Sequence, residues 1–172
     1  MATSFANRMV GAARLDRAVY EEVEADTGAT GQALGVVALS SVATGIAFGG
    51  GLGGLVTGAV AGVLTWALWA ALIYWIGARL LPEPQTRADW GELARTLGFA
   101  ASPGILRVLA VIPGLAVIVV WITIVWTLIT TVVAVRQALD YRSTPRAIGV
   151  CLIGWFVQTA LLVLLGRLAR PL

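Results

Sequence analysis

Glu83, Asp89 and Glu92 are the only acidic side chains grouped away from the N-terminal region, and clustered carboxylates are one route to acid–base chemistry. They share their stretch with Arg87 and Arg95, so solvated charge pairs account for them without invoking a reaction. The chain has no histidine, which removes the commonest general base and metal ligand. Its one cysteine, Cys151, lies in an apolar run and has no partner for an intramolecular disulfide. No metal-ligand spacing, phosphate-cradling loop or pairing of nucleophile with base is present. The sequence therefore points away from an enzyme, a cofactor and a bound metal.

The residues that could bind something are few. Arg107 sits between the dipeptides Pro103-Gly104 and Pro113-Gly114, inside an otherwise apolar stretch. A charge near the bilayer centre costs about 2.5–3.5 kcal/mol on insertion scales, so such residues are usually paired or functional. The other reading is snorkelling, with the stem covering apolar surface and the head reaching the interface. Arg136 and Asp140 are four apart, so on a continuing helix they share a face. With Tyr141, Arg142 and Arg146 they make a polar group that either docks a headgroup or partner, or caps a helix end. Gly45, Gly49 and Gly53 recur every fourth residue, as do Gly50, Gly54, Gly58 and Gly62. That spacing lets helices in lipid approach closely. It serves either a dimer face or the packing of two consecutive helices and their turn.

All these residues must be carried by a membrane-embedded frame. Of the 172 residues, 59% are hydrophobic and only 12% charged, against about 45–50% and about 25% in a soluble domain. A globular core of this size cannot bury that excess, whereas lipid can. All twelve basic residues are arginines, scattered between apolar runs, and the net charge is +3. No basic stripe interleaved with aromatics forms, which excludes a nucleic-acid groove. The first thirty residues are polar, with arginines first and acids after. They lack the apolar region of a cleavable signal, so the first span is expected to direct insertion. They form either an amphipathic helix on the membrane or a solvated arm.

The predicted spans cover residues 31–48, 55–76, 93–112, 115–135 and 147–166. Thr30 is expected to cap the first, and residues 49–54 to turn tightly into the second. Thr144 followed by Pro145 reads as a cap and first-turn proline for the last. The fourth is unbroken, but residues 93–112 carry two Pro-Gly breaks and Arg107. They either cross as a broken helix or lie re-entrant, which makes the layout five spans, or four plus a broken segment. Arginine asymmetry does not separate the two, since each places nine on one side and three on the other. In both, the N-terminus is cytosolic. Trp66, Trp69, Trp121 and Trp126 sit deep in spans, where they are expected to fill gaps between helices.

Three stretches resemble a known family, the bacterial Yip-family domains. They are Glu24-Ala25-Asp26 through Thr30-Gly31-Gln32-Ala33-Leu34; Trp90-Gly91-Glu92-Leu93 with Thr96-Leu97-Gly98-Phe99-Ala100 and Pro103; and Val135-Arg136-Gln137-Ala138-Leu139-Asp140-Tyr141 with Arg146-Ala147-Ile148 and Gly154-Trp155. The resemblance implies an all-α polytopic membrane bundle of five spans, a cytosolic N-terminus and no enzymatic activity. The family takes its name from proteins that interact with Ypt/Rab GTPases. This chain has a short N-terminal arm and lacks the Asp-Leu-Tyr-Gly-Pro element, so a GTPase partner is not carried over. The expectation is a non-enzymatic membrane-organising or partner-binding protein of a bacterial cytoplasmic membrane. Its partners would be lipids and either itself or a membrane complex, with no nucleic acid. The alternative is a small transporter or lipid-translocating protein using Pro103, Arg107 and Pro113.

Overall fold

The computed structural model describes residues 4–49 and 51–168, all helical or connecting segments. The chain opens with a helical hairpin, α1 (Phe5–Ala13) and α2 (Arg17–Ala25). Ser4 and Asp16 start these helices, each accepting a hydrogen bond from a first-turn amide. A short 3-10 turn, Thr27–Ala29, leads into α3 (Thr30–Ala47). The cap there is Asp26, whose carboxylate accepts from the Gly28 amide. Thr30, expected in that role, is already helical and donates back to the Thr27 carbonyl.

Next comes α4 (Gly51–Ile73), continued by a π-helical stretch, Tyr74–Leu80. The turn before it is tighter than the glycine run suggests. Gly49 and Gly51 hold φ of +71° and +57°, which glycine tolerates. Gly53 and Gly54 belong to the first turns of α4 instead. After a loop, α5 (Trp90–Ala100) begins with a reciprocal capping box between Asp89 and Glu92. It passes into a 3-10 helix, Ser102–Val111, at Pro103. The last two helices are α6 (Ala116–Ala138) and α7 (Thr144–Leu168).

Four helical stretches are long and apolar enough to cross a membrane: Thr27–Ala47, Gly51–Leu80, Ala116–Ala138 and Thr144–Leu168. Residues 93–112 are not a fifth continuous helix. Yet α5 and its 3-10 extension run the length of the bundle beside α3 and α6. Gly98 meets Ala33, Gly104 meets Ser40 and Arg107 meets Thr44, so the segment advances parallel to α3. Thr130 donates to the Ala100 carbonyl and Arg107 to Thr123, so it runs antiparallel to α6. Eleven α-helical and ten 3-10 residues extend about 16 Å and about 20 Å. The segment is a broken helix that traverses the bundle between its neighbours.

The core is centred on α5, where every residue from Leu93 to Ala100 is buried. The reason is small side chains. A Cβ on Gly98 would lie 2.7 Å from the Ala33 Cβ and 3.1 Å from its backbone, and one on Gly104 would collide with Ser40. This seam lets two helices touch backbone to backbone. Phe99 closes it from the other side, edge-on to Phe5 at 6.4 Å.

Candidate functional site

Two regions of the bundle gather polar side chains that could do chemistry. The first is at the end that carries the α1–α2 hairpin. Arg136 follows the last apolar turn of α6, where its guanidinium donates to the carbonyls of Tyr141 (3.1 Å) and Arg142 (3.2 Å) and to Thr144 Oγ1 (3.1 Å). It does not share a face with Asp140, because α6 stops at Ala138 and Asp140 takes a left-handed φ of +53°. The Asp140 carboxylate instead accepts from the Arg87 amide at 3.4 Å. Tyr141 donates toward the carbonyls of Gly77 (2.9 Å) and Leu81 (2.8 Å), at the end of the π-helical stretch. Arg146 stacks over Tyr141 and donates to Leu81 and Pro82. The structure brings Arg136, Tyr141 and Arg146 together, with backbone carbonyls as their partners. This knot fastens α4 to the α6–α7 turn.

The carboxylates of the 82–92 loop are engaged as well. Glu83 accepts from the Arg142 amide and lies 3.8 Å from Arg146. The Arg142 amide, more than its other neighbours, holds the Glu83 carboxyl below the usual range. Arg95, read from sequence as part of a solvated pair, is buried and donates to the carbonyls of Val23 and Glu24 at the end of α2. A cation there meets the negative pole of the helix. Glu24 pays for its place on that helix. Burial, then the charges of Glu92, Asp140 and Glu21, push its carboxyl up to about 7.

Sequence reasoning missed Arg8. Its side chain is 3% exposed and reaches Glu22 at 2.8 Å, Asp26 at 2.7 Å and Gln32 at 3.1 Å. One guanidinium thus ties α1 to α2 and both to α3, and Asp26 is held acidic chiefly by its hydrogen bond from Arg8. Trp126 completes the docking by donating to the Ala13 carbonyl at 2.7 Å. Tyr20, packed in the core, donates to the Ala12 carbonyl at 3.0 Å. The signal available in the sequence was the pairing of early arginines with later acids across a short turn.

The second region is a cavity of about 920 Å3 between α3, α4, α6 and α7. Its walls are mostly apolar, with Trp66 and Trp69 from α4, Leu128 from α6, and Leu152 and Trp155 from α7. Ser40, Ser41, Thr65, Thr127, Thr131 and Gln158 add polar points, and among the described residues Arg107 is the one charged residue lining it. Arg107 Nε donates to Thr123 Oγ1 at 3.3 Å and Nη1 to Thr44 Oγ1 at 3.2 Å. The ion pairs among the described residues involve Arg8 and Arg146, so Arg107 faces hydroxyls alone. Two buried polar atoms of lining residues, Trp66 Nε1 and Thr127 Oγ1, have no hydrogen-bond partner among the described residues. Leu128 on α6 and Leu152 and Trp155 on α7 are more than half exposed and form a rim. On the far side α7 leans on α4, where Gly154 receives Ile73 and Trp69 and Gln158 donates to the Thr65 carbonyl. The cavity thus opens sideways, between α6 and α7.

The glycines divide. A Cβ on Gly45 would lie 2.9 Å from Leu55 Cδ2, and one on Gly62 would lie 2.8 Å from Ser41 Cβ, so these two serve the α3–α4 contact. Gly49, Gly53 and Gly58 have open space beside them. Gly50 lies outside the described residues. Of the deep tryptophans, Trp69 packs against Gly154, Trp126 holds the hairpin, and Trp121 faces outward at 63% exposure.

A helical bundle of this kind, apolar along its outer faces and bound together by polar contacts at one end, defines a polytopic membrane protein. The model of one family, the Yip1 domain, matches residues 18–165. The chain belongs to that family. No curated protein and no solved structure matches it.

Proposed function

We propose that the chain is a non-enzymatic membrane-organising protein that works by binding within the bilayer. The cavity carries this reading, because its mouth opens between α6 and α7 onto their exposed apolar faces. A space of this size falls within the range of specific ligand sites, about 300–1,000 Å3. The polar knot supports the reading from a different direction. Arg136 and Tyr141 are committed to backbone carbonyls, so their role is to hold helices in place. The open glycines Gly53 and Gly58 leave the outward face of α4 free for self-association or a membrane complex. We place the N-terminus in the cytosol of a bacterial cell, on the arginine distribution. Purification in mild detergent should retain a stoichiometric partner, a dimer or tightly bound lipid. A bare monomer with none of these would overturn the proposal.

A second reading, transport or lipid translocation, draws on Arg107 in a broken segment beside the cavity. It requires flux in reconstituted vesicles that Arg107→Ala abolishes while insertion stays normal. Equal flux in both proteins, or none in the wild type, would exclude it.

A further inference from the structure

We infer that the cavity is a binding site for an anionic acyl lipid, with its acidic head on Arg107 and its hydrocarbon against the tryptophans. This rests on the binding role proposed above and names the occupant.

Charge is the first argument. Among the described residues, twenty-one line the cavity and none of them is an aspartate or glutamate. Among the described residues Arg107 is the sole ion there, and its two protein partners are neutral hydroxyls, each of which also donates to a backbone carbonyl of its own helix. A guanidinium offers five donors in a planar fork that matches phosphate or carboxylate oxygens. Two of those donors are used by Thr44 and Thr123, so others remain for an anion.

Depth is the second. Thr44 stands three residues before the end of α3, and Thr123 seven residues after the start of α6. At about 1.5 Å per residue, Arg107 lies roughly 5–10 Å inside the end of the bundle opposite the hairpin. That is within reach of a headgroup drawn slightly below the interface. From there the cavity continues toward Leu97 and Val132, past Trp66, Trp69 and Leu128, as an apolar space for a chain.

The third argument is the way in. The rim residues Leu128, Leu152 and Trp155 are apolar and exposed. An amphiphile arriving sideways between α6 and α7 would keep its tail in apolar surroundings throughout. A soluble anion would have to cross that rim unsolvated.

The test is lipid binding to purified full-length protein after delipidation in detergent, read by native mass spectrometry. The probes are palmitoyl-oleoyl phosphatidylglycerol, the phosphatidylcholine with the same chains, and oleate. Wild type should bind the anionic lipid at least about tenfold more tightly than phosphatidylcholine, in keeping with one charge-assisted contact. Arg107→Gln should erase that preference and Arg107→Lys should keep part of it. Leu128→Trp, which fills the mouth without touching the charge, should weaken every acyl probe. Preference for phosphatidylglycerol over oleate assigns a phosphate headgroup, and the reverse assigns a fatty acid carboxylate. Equal binding of anionic and zwitterionic lipids, unchanged by Arg107→Gln, would overturn this assignment while leaving a binding cavity. Absence of any bound lipid would overturn both the assignment and lipid as the cavity's guest. Unaltered thermal unfolding of Arg107→Gln in detergent would separate a lost contact from a lost fold.

Discussion

The side of the bundle packed against the α1–α2 hairpin and the side around the cavity pack differently, and the more apolar helices are the less closely packed. In the first, α5 is buried from Leu93 to Ala100, with Gly98 against Ala33 and Arg8, Arg95 and Trp126 fastening the hairpin. In the second, Trp66 and Trp69 stand where the seam has glycines, and α7 beyond Gly154 exposes Trp155, Phe156 and Leu165. Apolar composition alone decides neither outcome. Helices close where small residues let backbones meet, and stay apart where bulky side chains intervene. The closed half supplies rigidity, and the open half supplies a place to bind.

The sharpest way to break this contrast is to widen the seam. Gly98→Val places atoms where Ala33 backbone already is, and such overpacking costs about 1–3 kcal/mol or more. Thermal unfolding in detergent should fall strongly for Gly98→Val and hardly at all for Gly58→Val, which has open space beside it. Equal losses would mean that the seam is not special.

Releasing the hairpin should come next. Arg8→Ala removes the group that gathers Glu22, Asp26 and Gln32. Faster amide exchange and proteolysis are expected within residues 5–25, with α6 and α7 unchanged. Exchange spreading evenly through the bundle would show that the hairpin is not a separable element.

A smaller effect is expected from pH. The Glu24 carboxyl has a folded-state value of about 7 against an ordinary 4.5, so between these values the folded chain holds a proton that the unfolded chain has lost. Stability from this group is therefore complete below pH 4.5 and declines as pH rises through 7. Because the side chain is partly exposed, the decline should be no more than about 2 kcal/mol. Glu24→Gln should flatten unfolding temperature across that window; an unchanged slope would assign it to other groups.

The smallest expected effect lies at the cavity wall. Thr127 Oγ1 has no partner, so Thr127→Val should be neutral or stabilising by up to about 1 kcal/mol. In the closed half the comparable change, Thr130→Val, removes a 2.7 Å bond to the Ala100 carbonyl and should destabilise by about 1–3 kcal/mol. If both behave alike, the two halves are not distinguished by how their polar groups are satisfied.

Much of the frame was legible in the residues themselves. Long stretches without ionic side chains are stable only out of water, so the all-α membrane class and the four long helices follow from composition and length. The break at Pro103 follows too, because proline cannot continue the hydrogen-bond ladder. What the chain could not reveal linearly was which polar groups meet. The face shared by Arg136 and Asp140 was inferred from continuing helix, but α6 ends two residues short of Asp140. Gly98 and Gly104 gave no repeat like that of Gly45, Gly49 and Gly53, although the tightest backbone contact runs through Gly98.

The sequence by itself determined the solvent this protein folds in and the places where its helices start, bend and stop, since both depend on local chemistry. Only the tertiary structure decided that Arg8 and Arg95 are buried as fasteners while Arg107 lines an open cavity. All three are arginines on helical segments, and what separates them is whether carboxylates and carbonyls from other helices arrive beside the guanidinium.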